Sequence, residues 1–325
     1  MKLNLSKFSL IFLVALLLVA PWFFYPIFLM KILCFALFAS AFNLLLGYTG
    51  LLSFGHAAFL GGAGYICGYL IRDLGLSPEI GLLGGTLFAS GLGVVMGGLA
   101  IRRQGIYFAM ITMALAQMLY FVFLQAPFTG GEDGMQGIPR GVFLGVLDLQ
   151  NDKKMYYLVL AFFLFVTALI SRVISSPFGK ILFAIKENEP RAISLGYEVD
   201  RFKLIAFILS GALAGLAGSL QALFMGFETL SDAHWSMSGL VILMTLVGGV
   251  GTLLGPIIGA IVITVLEHKV GDIGNWIFSV TNIEWFRTLG ESVTIVTGFI
   301  FVLCVMSFRK GIVGEVLSKL KNKHN

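Results

Sequence analysis

The sequence predicts an all-α integral membrane protein, a polytopic bundle of about ten transmembrane helices with broken or re-entrant segments. Three observations predict it. Of 325 residues 58% are hydrophobic and only 12% charged, with a mean hydropathy of +0.94. A soluble domain carries about 25% charged residues, so this chain cannot cover a water-soluble globule. Its apolar runs recur at the length of a bilayer crossing, roughly 20 residues for a hydrocarbon core about 30 Å thick. The runs do not alternate polar with apolar residues, as barrel strands would.

The runs fall at 9–25, 27–46, 52–71, 79–100, 105–125, 155–173, 204–225, 237–249, 253–268 and 289–308. The first starts behind Lys2 and Lys7 as a signal peptide would, but Pro21-Trp22-Phe23-Phe24-Tyr25 follows in place of a cleavage site. That cluster reads as an aromatic interface belt, and the run as a retained span. The run 237–249 is too short to cross alone and reads as half of a broken helix. With the N-terminus inside and ten crossings, 15 of the 22 Lys and Arg fall on the inner side. That bias places both termini in the cytoplasm.

Two hydrophilic stretches separate the runs, an outer one at 126–154 and an inner one at 172–203. A smaller outer loop, 271–287, carries Trp276 and Trp285 and is expected along the interface; the basic tail 309–325 suits an anionic inner leaflet. No linker divides the chain, which reads as one transmembrane domain over 1–325. The 40 glycines are patterned, with Gly64/Gly68, Gly81/Gly85, Gly93/Gly97, Gly211/Gly215 and Gly251/Gly255/Gly259 at the small-xxx-small spacing that lets helices approach closely in lipid.

The net charge of +5 is accounted for by residues flanking the spans, so no nucleic acid is implied. Cys34, Cys67 and Cys304 lie singly in apolar segments and read as small buried hydrophobes. There is no G-x-x-x-x-G-K-[ST], no H-E-x-x-H and no G-x-S-x-G, and four scattered histidines give no metal constellation. The chain itself shows no enzyme chemistry and no cofactor. Glu228, Asp232 and Glu267 are placed near span ends, within reach of solvent, and the scarcity of charge inside the spans argues against an ion-coupled carrier or channel.

Two segments are candidates for function. In 176–203, Asn188 can cap a helix with Pro190 in its first turn, and Gly196 suits its C-terminus. A short charged helix there could pass a push from a soluble partner into the neighbouring spans, or the stretch could be a solvated connection. Block 47–56 starts on two close glycines and offers Tyr48, Thr49, Ser53 and His56 at membrane depth; with Asn43, Gln117 and the stretch 236–255 it could line a translocation path. The same groups could equally be packing turns whose polar atoms bond internally.

The order Glu189…Ala192…Gly196, followed by Arg201-Phe202-Lys203-Leu204-Ile205-Ala206-Phe207-Ile208-Leu209-Ser210-Gly211-Ala212-Leu213-Ala214-Gly215-Leu216-Ala217-Gly218, resembles the coupling loop and following span of ABC-importer permeases. More narrowly it resembles branched-chain amino acid permeases of the LivM type. Gly47-Tyr48-Thr49-Gly50-Leu51-Leu52-Ser53-Phe54-Gly55-His56-Ala57-Ala58-Phe59, Thr129-Gly130-Gly131…Gly134…Gly137-Ile138-Pro139 and Gly248-Gly249-Val250-Gly251-Thr252-Leu253-Leu254-Gly255-Pro256 resemble three further blocks of that family, over about 30–310. The departure is Pro190-Arg191, where relatives often carry small or apolar residues.

The resemblance implies the ABC-importer permease fold in a bacterial inner membrane, surrounded by lipid. It implies a second related permease, two ATP-binding subunits that hold the ATP, and an extracytoplasmic solute-binding protein. Glu187, Asn188, Glu189, Pro190, Arg191, Ala192, Ser194 and Gly196 would couple to the ATPase, while Thr129, Gly130, Gly131, Glu132 and Asp133 would meet the binding protein. The implied cargo is a branched-chain amino acid, with urea or a short amide as the alternative.

Overall fold

The computed structural model describes residues 17–281, 298, 302 and 311–315. Residues 9–16 of the predicted first run and most of the last run, with Trp285 and Cys304, lie outside the described residues. The helices are α1 (Pro26–Thr49), α2 (His56–Arg72), α3 (Pro78–Ala100), α4 (Ile106–Gln125), α5 (Asp152–Ser175), α6 (Pro177–Glu187), α7 (Glu189–Ser194), α8 (Val199–Met225), α9 (Leu230–Ala233), α10 (Trp235–Gly248) and α11 (Gly255–Thr281). Of these α1, α3, α4, α5 and α8 are long and apolar enough to cross a bilayer. The all-α class stands.

The predicted runs and the helices coincide closely, because proline or a left-handed glycine marks many boundaries. Pro26, Pro78 and Pro177 each sit in a first helical turn, where the missing N–H is not needed, and Gly50 and Gly226 take φ near +76° behind α1 and α8. One expectation needs correction. The outer loop expected over 271–287 is helical through Thr281, as α11 runs unbroken past Trp276. Of the two readings of 172–203, the structure shows the helical one, with α6 and α7 filling it between the end of α5 and the start of α8. The outer stretch 126–154 holds short 3-10 turns and two small pairings, β1 (Met135–Gln136) with β4 (Phe227–Glu228) and β2 (Val142–Phe143) with β3 (Leu147–Asp148).

Helix α1 is apolar on every side, and a helix of that kind belongs inside a bundle. It lies with α8 at the centre, and α8 packs against α1, α2 and α3. The face of α8 toward α2 and α3 is built from Gly211, Gly215 and Gly218: Gly211 lies against the Phe59 ring, Gly215 against Ala89 and Ala63, and Gly218 against the backbone of Leu60. In lipid the hydrophobic effect gives helices no reason to associate, so this close approach supplies the packing. Just before α1, Trp22, Phe23, Phe24 and Tyr25 are exposed, as an interface belt requires, and the Lys153 ammonium lies 4.3 Å from the centre of the Trp22 ring.

A Cβ at Gly218 would overlap the Leu60 carbonyl, whereas one at Gly98 would meet nothing within 4 Å. Gly218→Ala is therefore expected to destabilise the purified protein by about 1–3 kcal/mol. Gly98→Ala should leave it unchanged or stabilise it by roughly 0.5–1 kcal/mol. Thermal melting in detergent checks both, and equal melting temperatures for the two variants would contradict the packing described.

Candidate functional site

The chain breaks its helices at two places that meet in space. Helix α1 ends at Thr49 and Gly50, and an irregular stretch leads to α2; helices α10 and α11 are separated by the turn 249–254. Asn43, in the penultimate turn of α1, clamps that second break: its Nδ2 donates to the Thr252 carbonyl at 2.9 Å, and its Oδ1 accepts from Gly251 N at 2.9 Å. Thr252 continues the pattern, donating through Oγ1 to the Gly249 carbonyl at 2.8 Å and accepting from Gly255 N at 3.0 Å. Glycine is required here by proximity. A side chain on Gly47 would sit 2.8 Å from Gly251 N, and those on Gly248 and Gly259 would strike the carbonyls of Gly255 and Met244.

The remaining candidates in this region are also enclosed. Thr49 Oγ1 donates to the Leu45 carbonyl at 2.5 Å, and Ser53 Oγ accepts from Gly55 N at 3.1 Å. Ser210 Oγ donates to the Ala41 carbonyl at 2.6 Å and so accepts from His56 Nε2, 2.8 Å away, which assigns the imidazole proton to Nε2. Phe42, Phe59 and Phe207 surround that ring edge-on. Asn43, Tyr48, Thr49, Ser53 and His56 are all buried within the chain; Gln117, on α4, is half-buried. What opens beside them is a cavity of about 490 Å³ lined by Gly50, Leu51, Leu52, Phe54, Gly105, Ile106, Phe108 and Ala109. Four of these residues lie in block 47–56; Gly105, Ile106, Phe108 and Ala109 carry no polar signal, so sequence reasoning passed over them.

Over 177–194, α6 and α7 form a small cap, seated in the main core by Leu182 and holding a small core of its own. Ser176 Oγ caps α6 by accepting from Gly179 N, and Asn188 Oδ1 caps α7 by accepting from Arg191 N at 3.0 Å. Gly196, at φ +87°, turns the chain into α8. Ile185, Ala192 and Val199 pack together under Ile181 and Phe202. Lys203 of α8 is buried and donates to Glu189 Oε1 of α7 at 2.6 Å. Glu187, Asn188, Pro190, Arg191, Ser194 and Gly196 remain exposed, and beside them stand the exposed apolar side chains Phe183, Ile193, Leu195 and Tyr197. Of the eight residues expected to couple, Ala192 is core and Glu189 is the anchor; the other six form an outward face.

The outer loop divides similarly. Thr129 is fully buried, its hydroxyl over the Phe123 and Ala126 carbonyls, and so cannot offer its side chain to a partner. Gly130 and Gly131 take positive φ, and Glu132 and Asp133 are exposed. Glu132 borders a cavity of about 420 Å³ with Tyr120, Leu124, Leu230, Ser231, His234 and Ser236. Arg140 ties this loop down, donating to the Phe224 carbonyl at 2.7 Å and pairing with Asp152 at 2.5 Å.

Behind the loop, one expectation is overturned. Glu228 and Asp232 are buried, 1% and 9% exposed, not at solvent-reached ends, because β1 and the β4–α9 segment fold back over α2. The Glu228 carboxyl lies flat on Gly64, with neither oxygen hydrogen-bonded in the structure. Burial, and then the neighbouring Asp232 carboxylate, push its pKa well above the usual carboxylate range. Asp232 is raised by burial too, but Thr229 and Gln221 donate to it at 2.6 and 3.0 Å and favour its charged form. Glu267 is half-buried.

Residues 25–305 match the family described as "Branched-chain amino acid transport system / permease component". The high-affinity branched-chain amino acid transport system permease protein LivM of Escherichia coli (strain K12) is 27% identical over 257 residues, 72% of this chain and 60% of LivM. The match thus spans about three fifths of that relative. The autoinducer 2 import system permease protein LsrC of Klebsiella pneumoniae is 33% identical over 150 residues, 43% of this chain and 41% of LsrC. A chain of PsaBC from Streptococcus pneumoniae in complex with Fab superposes over 90% of this chain and 95% of its own at a TM-score of 0.42 and 14% identity, too distant to carry an inference.

Removing the Lys203 ammonium leaves Glu189 without its counter-charge. Lys203→Met is expected to cost the cap about 2–3 kcal/mol, toward the low end for a broken buried pair because Glu189 keeps some water. Hydrogen exchange should quicken over 188–196 and stay unchanged over 126–154; equal exchange in both would contradict the anchor.

Glu228 gives a pH dependence. Its folded pKa lies above the ordinary value of about 4.3. The stability associated with the neutral acid is complete below that ordinary value and is lost as pH rises through the folded pKa. Wild type should therefore lose melting temperature as pH rises from acid through neutral, and Glu228→Gln, uncharged and nearly the same shape, should lose less. Parallel pH profiles for the two proteins would rule out a buried acid.

Proposed function

The chain belongs to the family of branched-chain amino acid transport system permease components, and from that membership we propose that it is the membrane-spanning subunit of an ATP-driven importer carrying branched-chain amino acids into the cytoplasm. The observation that carries the reading is the inner cap. A six-residue helix is held on a small hydrophobic core and a buried ion pair, with its polar and apolar outer residues free. A rigid element that projects from a bundle, fixed at its base and unpartnered at its tip, suits docking into a cleft of a soluble motor. ATP would be held by two ATP-binding subunits, since the chain has no phosphate-binding loop of its own.

The importer would include a second related permease and an extracytoplasmic solute-binding protein meeting Glu132 and Asp133. It would sit in a bacterial inner membrane with both termini in the cytoplasm, as the distribution of Lys and Arg supports. For the cargo, the cavity beside block 50–54 is lined by Leu51, Leu52, Phe54, Ile106 and Phe108 with no charged group, which suits an aliphatic side chain. The likeness to an autoinducer 2 permease shows that relatives serve other solutes, and urea or a short amide is the alternative cargo. A second reading, an ion-coupled carrier, is favoured by one observation, the buried Glu228 and Asp232, since ionisable residues inside a membrane protein often serve ion pathways.

Proteoliposomes holding this chain with its cognate ATPases and binding protein distinguish these readings. Labelled leucine should enter only with ATP at the cytoplasmic face, and excess isoleucine should compete while urea does not. Uptake by this chain alone, driven by an ion gradient, would establish the second reading instead.

A further inference from the structure

We propose that Lys186 is the positioning residue that carries movement of the cytoplasmic cap into the broken pair α10–α11. Its ammonium donates to the Gly47 carbonyl at 2.7 Å, across 139 residues of sequence. Gly47 lies in the last turn of α1, where carbonyls have no partner within the helix and where the helix dipole is negative, so a cation is favoured there. The side chain arrives along a track that glycine leaves open. A Cβ at Gly50, which takes φ +76°, would lie 3.3 Å from Lys186 Cγ, and one at Gly251 would lie 3.9 Å from Nζ. The ammonium thus stands beside α1 and the turn 249–254 together.

The neighbours of Lys186 complete the linkage. Ile185 is buried in the cap core, so its sequence neighbour moves with the cap. Below the ammonium, Asn43 joins α1 to Gly251 and Thr252 by two hydrogen bonds. Among the described residues, the Lys186–Gly47 bond is the hydrogen bond that joins α6 and α7 to α1. A displacement of the cap therefore reaches the turn between α10 and α11 through Lys186, Gly47 and Asn43 in succession. The nearest acids in sequence do not divert the ammonium: Glu189 is engaged by Lys203, and Glu187 is exposed. Sequence reading missed Lys186 because a lysine on an exposed cytoplasmic helix looks like one more inner-side charge.

This inference rests on the importer reading, and the test separates the two. In proteoliposomes holding the full complex, leucine imported per ATP hydrolysed is compared for wild type, Lys186→Met and Lys186→Arg, with the melting temperature of each. Lys186→Met is expected to lower the ratio about fivefold or more, the smallest usual coupling between two sites, at an unchanged melting temperature. Lys186→Arg, which keeps the charge and the donors, should restore most of it. A wild-type complex without ATP-driven uptake would overturn the importer reading and this inference with it. A coupled wild type with an unchanged Lys186→Met ratio would overturn this inference alone. So would a methionine variant whose hydrolysis, uptake and melting temperature all fall together, since that outcome marks a structural role.

Discussion

The hydrocarbon interior of a bilayer offers no water to a peptide group, and the protein's irregular segments are shaped by that constraint. Helices meet it without help. Where α1 stops at Thr49 and where α10 gives way to α11, N–H and carbonyl groups lose their helical partners, and the chain must supply others. It does so by bringing the two breaks together. Asn43 serves Gly251 and Thr252, Thr252 serves Gly249 and Gly255, and Lys186 reaches in from α6 to Gly47. The glycines at 47, 248, 251, 255 and 259 allow the backbones to come near enough for these bonds to form.

The same economy of side chains organises the bundle around α8. Its Gly211–Gly215–Gly218 face admits α2 and α3 to contact distance, and the polar residues nearby are spent inside: Ser210 between His56 and Ala41, Ser219 on the Ala63 carbonyl. The centre is tightly closed. Away from that centre, Ile185, Ala192 and Val199 form a small core of their own beneath α7, while Leu182 seats α6 in the main core, and long-range bonds from Asn43 join the two breaks.

Charge is placed with equal selectivity. The buried pair Lys203–Glu189 costs desolvation and returns geometry, fixing α7 on α8 so that the outer residues of the cap face one way. Arg140 fixes the outer loop to the end of α8 and to Asp152. Glu228 differs from both. Among the described residues it has no ion-pair partner, it lies against Gly64, and burial disfavours its charged form.

Hydropathy and length settled the all-α membrane class from sequence, because the bilayer imposes one apolar period and one crossing length on every span. Proline and glycine marked most helix ends for an equally local reason, the restriction of φ. The capping of α7 by Asn188, with Pro190 in the first turn and Gly196 behind it, was legible because caps are made within a few residues. Contacts across long separations were not legible. Nothing near Asn43 in sequence indicates that it bonds to Thr252, 209 residues away, or that Lys186 points at Gly47. The burial of Glu228 and Thr129 was hidden for the same reason, since exposure depends on which distant segment folds over a residue. Local propensity and the membrane determined the elements; close packing between segments far apart in the chain decided which polar groups are spent on structure and which stay available for function.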